Sequence, residues 1–334
     1  MVCLVTDSSV VLMCGSRRST RTWVFSMRAI RLHHVGGPES LRDEDAPKPI
    51  PNDDQVLVQV SATAITPTEF TWFPTFHTLD GGARPFPLIL GHEFSGVVAA
   101  IGPDSDGVRI GDSVYGLNDW FSDGAQAEYC LTVPGNLAPK PISLVDSLAA
   151  AVPISALTAW QALVDRAHLA EGQRVLIHGG AGGVGSFAVQ LARYKKAHVI
   201  ATVSAVNANF VTALGADEVI DYRTTPFEAV VRDVDVVLDT VGGETRDRSW
   251  EVLKKGGRLV TIAADAERFS DPRVRDAFFI VEPNRVQLIE ISRLIDAGVI
   301  RPVVGAVFPM EDVQHAYEQK PLRGKHVLYI SGTS

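Results

Sequence analysis

Two hydrophobic periods alternate along the chain, and the change from one to the other divides it. From Met27 the pattern is that of short strands. MRAIRLHH reads as a strand, GGPESL as a turn, and Gln55 to Val60 places Val56, Val58 and Val60 on one face, as a half-buried strand does. The proline-rich PKPIPNDD separates these segments, and Leu88 to Ala100, the turn signals GPDSDG and GD, and Ser113 to Tyr115 follow. This predicts an antiparallel, barrel-like unit. Ser143, with Asp146 three residues later as a variant capping box, opens a helical region. Pro153 interrupts it before a helix over Ser155 to Leu169, and the boundary between two units falls here.

Strand and helix then alternate. Strands are expected at Arg174 to His178, His198 to Val203, Glu218 to Asp221, Val234 to Asp239, Arg258 to Ala263 and Ala277 to Val281. Helices are expected from about Gly183, from about Val206, after the Thr225-Pro226-x-Glu228 start signal, and over Asn284 to Ala297. Six strands with helical crossovers make a doubly wound parallel sheet, an α/β fold. VVGAVFP, a helix near Glu311 to Gln319 and a strand over Lys325 to Ile330 return to the first unit.

The stretch RVLIHGGAGGVGSFAVQLARY, Arg174 to Tyr194, carries the clearest chemistry. Gly180-x-Gly182-x-x-Gly185 follows a strand, and Val184, Phe187, Ala188 and Leu191 mark one face of the helix after it. The first glycine permits the turn, the second lets backbone approach a pyrophosphate, and the third allows close helix packing. Free N–H groups and the helix dipole then face the phosphates, so the pattern predicts dinucleotide binding.

Composition narrows the classes. The 334 residues carry a net charge of −8, which gives none of the basic footprint expected for a nucleic-acid partner. Of three cysteines, Cys3 and Cys14 precede the regular pattern and Cys130 stands alone in the body, which rules out a disulfide scaffold and an all-cysteine zinc lobe. No apolar run approaches the roughly 20 residues that cross a bilayer, so neither a membrane partner nor a secretory route is expected, and the assigned location is cytoplasmic. Residues 1–26 form a leader in which Arg17, Arg18 and Arg21 sit among serines and threonines, as in a mitochondrial presequence. The reading adopted is that the fold starts at Met27 and that the leader is disordered or an over-extended start.

GPESL, GHEFSGVVAAIG, GDSVYGL, AAAVPISALTAWQAL, GGAGGVGSFAVQLA, LGADEVIDY, DVVLDTVGG and GKHVL, in this order, closely resemble the zinc-independent quinone oxidoreductase branch of the medium-chain dehydrogenase/reductase superfamily, over Met27 to Ser331. The resemblance implies a GroES-like catalytic domain over 27–148 and 302–334, a Rossmann domain over 149–301, a cofactor cleft between them, and a homodimer. It also implies dinucleotide contacts from Thr158, Gly180, Gly182, Gly183, Val184, Gly185, Val241, Gly242, Ile262, Phe279, Val281 and Lys325. Ser204 and Asn207 after the second Rossmann strand, with Tyr222, match positions that receive a 2′-phosphate. No carboxylate stands there to repel it, so NADPH is expected over NADH, although many relatives carry a lysine where this chain has Asn207. Arg323 and Lys325 either reach phosphate or form a solvated basic pair.

No metal is expected. The zinc enzymes of this fold need three protein ligands, and His92 is accompanied only by Thr66 and by a Pro153-Ile154-Ser155 segment without thiolate or carboxylate. Thr66-Pro67-x-Glu69 has the capping-box pattern instead, and a helix start accounts for it. Without a Lewis acid, hydride transfer suits quinones and α,β-unsaturated carbonyls, whose developing charge is delocalised. The expected activity is therefore NADPH-dependent reduction of such substrates, with no proton donor assigned. Two alternatives stay open: a dinucleotide-binding structural or redox-sensing protein with little turnover, and a zinc alcohol dehydrogenase with displaced ligands.

Overall fold

The computed structural model describes residues 5–6, 9–10, 25–266 and 270–331. Apart from the short antiparallel pairing of Val5–Thr6 with Ser9–Val10, the leader expected before Met27 lies largely outside the described residues. The first long strand opens one residue early, at Ser26, and pairs with Pro47.

The α/β half is built on five parallel strands. These are β1 (Arg174–His178), β2 (His198–Val203), β3 (Glu218–Asp221), β4 (Val234–Asp239) and β5 (Leu253–Thr261), in spatial order β3-β2-β1-β4-β5. Val175, Leu176 and Ile177 of β1 and Val199, Ile200 and Ala201 of β2 are inaccessible, as strands covered on both faces should be. Helices α1 (Pro153–Trp160), α2 (Gly183–Tyr194), α3 (Ala208–Leu214) and α4 (Arg285–Asp296) accompany the sheet. The strand order reverses between β1 and β4, which opens a crevice at their carboxyl ends.

The sixth strand expected at Ala277 to Val281 does not form. Ala277 ends a short helix, and only Phe278 bridges the sheet, at Thr261. The backbone beyond is claimed by side chains: Trp120 Nε1 donates to the Val281 carbonyl at 2.8 Å, and Gln161 bonds both the amide and the carbonyl of Glu282. Two start signals also shift. Ser143 caps nothing, because its amide and hydroxyl both bond the Asp296 carboxylate. The helix after Thr225 is a single turn, Phe227–Val230, with Pro226 rather than Thr225 at its cap.

The other half holds a seven-stranded sheet in which Val56–Ala64 pairs with Glu93–Ile101, Tyr129–Thr132 and the returning Lys325–Tyr329. A three-stranded sheet, Leu41–Pro47, Ser26–Leu32 and Leu88–Ile89, packs beside it. Leu41–Pro47 (LRDEDAP) escapes the sequence pattern because it is an edge strand, and charge is what keeps such an edge from pairing with other chains. The helical run Asp146–Arg166 is, by length and composition, apolar enough to cross a bilayer, contrary to the expectation from sequence. The run is interrupted before Pro153, as the sequence suggests, with one helical turn at Asp146–Ala149 and a new helix starting at Pro153. Of its most apolar window, 78% is buried inside the protein, which explains the composition.

Candidate functional site

The crevice at the carboxyl ends of β1 and β4 leads into a cleft of about 700 Å³ between the two halves. Its floor is the glycine turn after β1. The left-handed residue in that turn is Gly179, with φ of 73°, not Gly180 as the sequence pattern suggests. Gly180 is there for packing: a Cβ on it would lie 3.0 Å from Ala201 Cβ and 3.4 Å from Val203 and Val211. Gly185 keeps α2 against the turn, since a Cβ there would lie 2.1 Å from the Gly179 carbonyl oxygen. Gly182 is different. A Cβ on it would meet only the Gly179 oxygen, at 3.4 Å, and the residue is exposed to the cleft at the N-terminus of α2.

Ten of the expected contact residues border this cleft: Thr158, Gly182, Gly183, Val184, Gly185, Val241, Ile262, Phe279, Val281 and Lys325. Gly180, Ser204, Asn207, Tyr222 and Gly242 do not line it. Gly242 holds the neighbouring turn through its amide on Asp239. Tyr222 is well exposed beside β2, with its amide on the Val203 carbonyl. Ser204 and Asn207 are buried, and Asn207 is already engaged: its Nδ2 donates to the Leu322 carbonyl at 3.2 Å and to Ser204 Oγ at 3.4 Å, and its Oδ1 accepts from Arg323 Nε at 2.8 Å. Arg323 also lies over the Phe210 ring. The cation missing at position 207 thus arrives from a loop more than a hundred residues later, a placement that no local pattern encodes.

The turn fits a dinucleotide. Beyond the open backbone at Gly182, the buried Ser155 hydroxyl has no hydrogen-bond partner, lines the cleft and lies 3.0 Å from where a Gly183 Cβ would stand. A buried hydroxyl left unpaired is costly unless an occupant of the cleft completes it.

A second polar group lies deeper. Lys325 Nζ is ion-paired to Glu93 and donates to Thr66 Oγ1 at 2.9 Å. The other Glu93 oxygen accepts from the Ile154 amide at 2.8 Å, at the start of α1. Burial pushes the Glu93 carboxyl above the usual range, and the Lys325 charge acts against that rise. Pro67–Phe70 is a 3₁₀ turn with Thr66 at its N-cap, as the sequence suggests, yet Thr66 makes no capping bond and Glu69 accepts instead from the Gly91 amide at 2.8 Å. His92 packs against Trp120, its Nε2 donates to the Ser122 carbonyl at 3.3 Å, and its Nδ1 is 3.4 Å from Glu69.

Two family models match the chain, an alcohol dehydrogenase GroES-like domain over residues 52–144 and a zinc-binding dehydrogenase over residues 214–328. The mitochondrial NAD(P)H oxidoreductase RTN4IP1 of Danio rerio is 32% identical over 96% of this chain and 97% of the relative. The chloroplastic NADPH-dependent alkenal/one oxidoreductase of Arabidopsis thaliana is 31% identical over 93% of this chain and 80% of its own length. Among solved structures, the quinone oxidoreductase from Coxiella burnetii superposes with a TM-score of 0.83 at 31% identity, covering 92% of this chain and all of that one. The chain belongs to the medium-chain dehydrogenase/reductase superfamily, in the branch of the quinone and alkenal/one oxidoreductases, and is an NAD(P)H-dependent oxidoreductase.

The second family description carries zinc, and the residues present do not fit it. Among the described residues no three His, Cys, Asp or Glu side chains gather to hold a metal ion. His92 is turned to Glu69 and Ser122, and the hydroxyl of Thr66 is bonded to an ammonium.

Proposed function

We propose that this protein is a zinc-independent, NADPH-dependent reductase of quinones or α,β-unsaturated carbonyls, acting as a homodimer. The observation that carries the reading is the single cleft in which an open glycine turn with an unpaired Ser155 hydroxyl faces an apolar wall of Trp72, Trp120 and Ile154. Gly182 and Gly183, in the cleft between the units assigned to 27–148 with 302–334 and to 149–301, would hold the pyrophosphate of a dinucleotide. Thr158, Val184, Val241, Ile262, Phe279 and Val281 supply the flanking contacts. NADPH is preferred because Arg323, fixed by Asn207 beside Ser204, offers a guanidinium to a 2′-phosphate, a group this side chain suits. When bound, the cofactor supplies a hydride. The protein orients the acceptor, excludes water with the tryptophans and leaves charge to be delocalised in a conjugated substrate. The names of the plant relative and of the Coxiella structure carry acceptors of this kind.

The cytoplasmic assignment is part of the same proposal, although the named relatives are mitochondrial and chloroplastic. Cell fractionation decides it. The functional test is an NADPH oxidation screen across quinones, enones, alkenals and simple ketones, with zinc measured on the same sample. Reduction of conjugated acceptors without stoichiometric zinc supports the reading. Oxidation of simple alcohols that is lost on chelation overturns it.

A further inference from the structure

Reducing a conjugated carbonyl requires a proton as well as a hydride, and the cleft contains few groups able to give one. Thr158 Oγ1 already donates to the Ile154 carbonyl at 2.6 Å and Thr240 Oγ1 to the His178 carbonyl at 2.8 Å. His326 is turned towards the Ala316 carbonyl and the Phe308 ring, and Lys320 lies exposed at the rim. Ser155 faces the glycine turn. Glu69 and His92 are buried and do not line the cleft, where the rings of Trp72 and Trp120 meet edge to face at 4.8 Å. Thr68, Asp265 and Gln319 also line the cleft but are exposed to solvent. The half-buried pair left is Thr66 and Lys325. Both border the cleft, and among the described residues the Thr66 hydroxyl accepts from Lys325 and has no acceptor for its own hydrogen.

We propose that the Thr66 hydroxyl is the proton donor of the cleft and that the Lys325 ammonium behind it stabilises the anion formed on the substrate oxygen, an inference that rests on the conjugated-carbonyl reading above. An ammonium has three hydrogens, and Lys325 commits two, to Glu93 and Thr66. Glu93 is inaccessible and is itself fixed by the Ile154 amide, so it holds the ammonium in place. Buried carboxylate, ammonium and hydroxyl thus form a chain ending in the cleft. In the reaction the β-carbon takes the hydride and its electron pair, the C=C pair shifts to join the α-carbon to the carbonyl carbon, and the carbonyl π pair moves to oxygen. Thr66 gives its proton to that oxygen as it takes one from Lys325. Water reprotonates the lysine, and the resulting enol tautomerises to the saturated carbonyl. Positive charge set where negative charge develops does here what a metal ion does elsewhere.

The test uses the full chain without cofactor and 4-nitrophenol as probe, because its absorbance separates phenol from phenolate. Wild type is expected to bind the phenolate preferentially, and Thr66→Val to weaken that binding by about tenfold or more, since a hydrogen bond to a charged group is lost. Thr66→Val leaves the Lys325–Glu93 pair intact, so the protein keeps its fold, and Thr66→Ser restores binding. Lys325→Met is expected to lose the phenolate preference, while Lys325→Arg retains part of it. In turnover with an enone, Thr66→Val lowers kcat by about a hundredfold with little change in KM or in NADP⁺ affinity. Phenolate binding that is unchanged in both Thr66→Val and Lys325→Met overturns the proposal whatever the turnover. A wild type that binds phenolate through these residues yet reduces no quinone or enone upholds the anion-holding pair and overturns the substrate reading instead.

Discussion

Arg323 Nε donates to Asn207 Oδ1 at 2.8 Å, joining the loop before the last strand to the end of β2. This contact sets the first prediction. Arg323→Ala should weaken NADPH binding by about tenfold and leave NADH binding nearly unchanged, because only the former presents a phosphate to the guanidinium. Ser204→Asp should reverse the preference by placing a carboxylate beside the same site. Titration of each variant with both cofactors checks this, and equal losses for NADPH and NADH would remove Arg323 from the 2′-phosphate site.

The glycine turn separates binding from folding. Gly182→Leu should leave the melting temperature close to that of wild type, since nothing but the Gly179 oxygen is near its Cβ, while cofactor binding and turnover disappear. Gly185→Ala should do the reverse first. Its Cβ would lie 2.1 Å from backbone, and the shift needed costs about 1–3 kcal/mol of stability. Thermal melts with and without NADPH distinguish the two.

The elements around these two glycines were legible in the sequence because they are local: a strand, a turn and a helix in one stretch of chain. The same holds for the β1 to β5 alternation and for α4, where Asn284 Oδ1 accepts from the Gln287 amide as an N-cap should. What escaped depends on partners far away in the chain. Thr66 and Glu69 read as a capping box, but their side chains are taken by Lys325 and by the Gly91 amide. Val281 has the apolar pattern of a strand, but Trp120 claims its carbonyl. Asn207 looked free to meet a phosphate, and Arg323 occupies it. Periodicity reports which face is buried; it does not report which distant group arrives there.

Trp120 provides a further prediction. Its indole N–H donates to the Val281 carbonyl across the cleft, and both residues are nearly inaccessible. Trp120→Phe preserves much of the packing against His92 and Trp72 but strands that carbonyl, at a cost of about 1–3 kcal/mol. Because Val281 belongs to the irregular segment that replaces a sixth strand, the loss should appear as weaker cofactor binding as well as a lower melting temperature. An unchanged dissociation constant for NADPH would show that the segment holds its position without the bond.

His178, at the end of β1, predicts how stability follows pH. Its two ring nitrogens are each 3.0 Å from a hydroxyl, Thr202 Oγ1 and Ser249 Oγ, and the ring is buried. Burial, which disfavours the imidazolium, lowers its pKa from 6.5 to about 4, while Asp239 pulls in the opposite direction. The folded state therefore holds the neutral form at pH values where the unfolded chain already binds a proton. Protons bound preferentially by the unfolded state favour unfolding, so this contribution to stability is present above about pH 6.5 and is lost as pH falls towards about 4. Its full size is on the order of 3 kcal/mol. His178→Gln keeps polar atoms for the two hydroxyls but does not titrate, so its stability relative to wild type should improve steadily across that window. Urea denaturation of both proteins at several pH values measures the difference, and parallel curves would mean that His178 is protonated alike in the folded and unfolded chains.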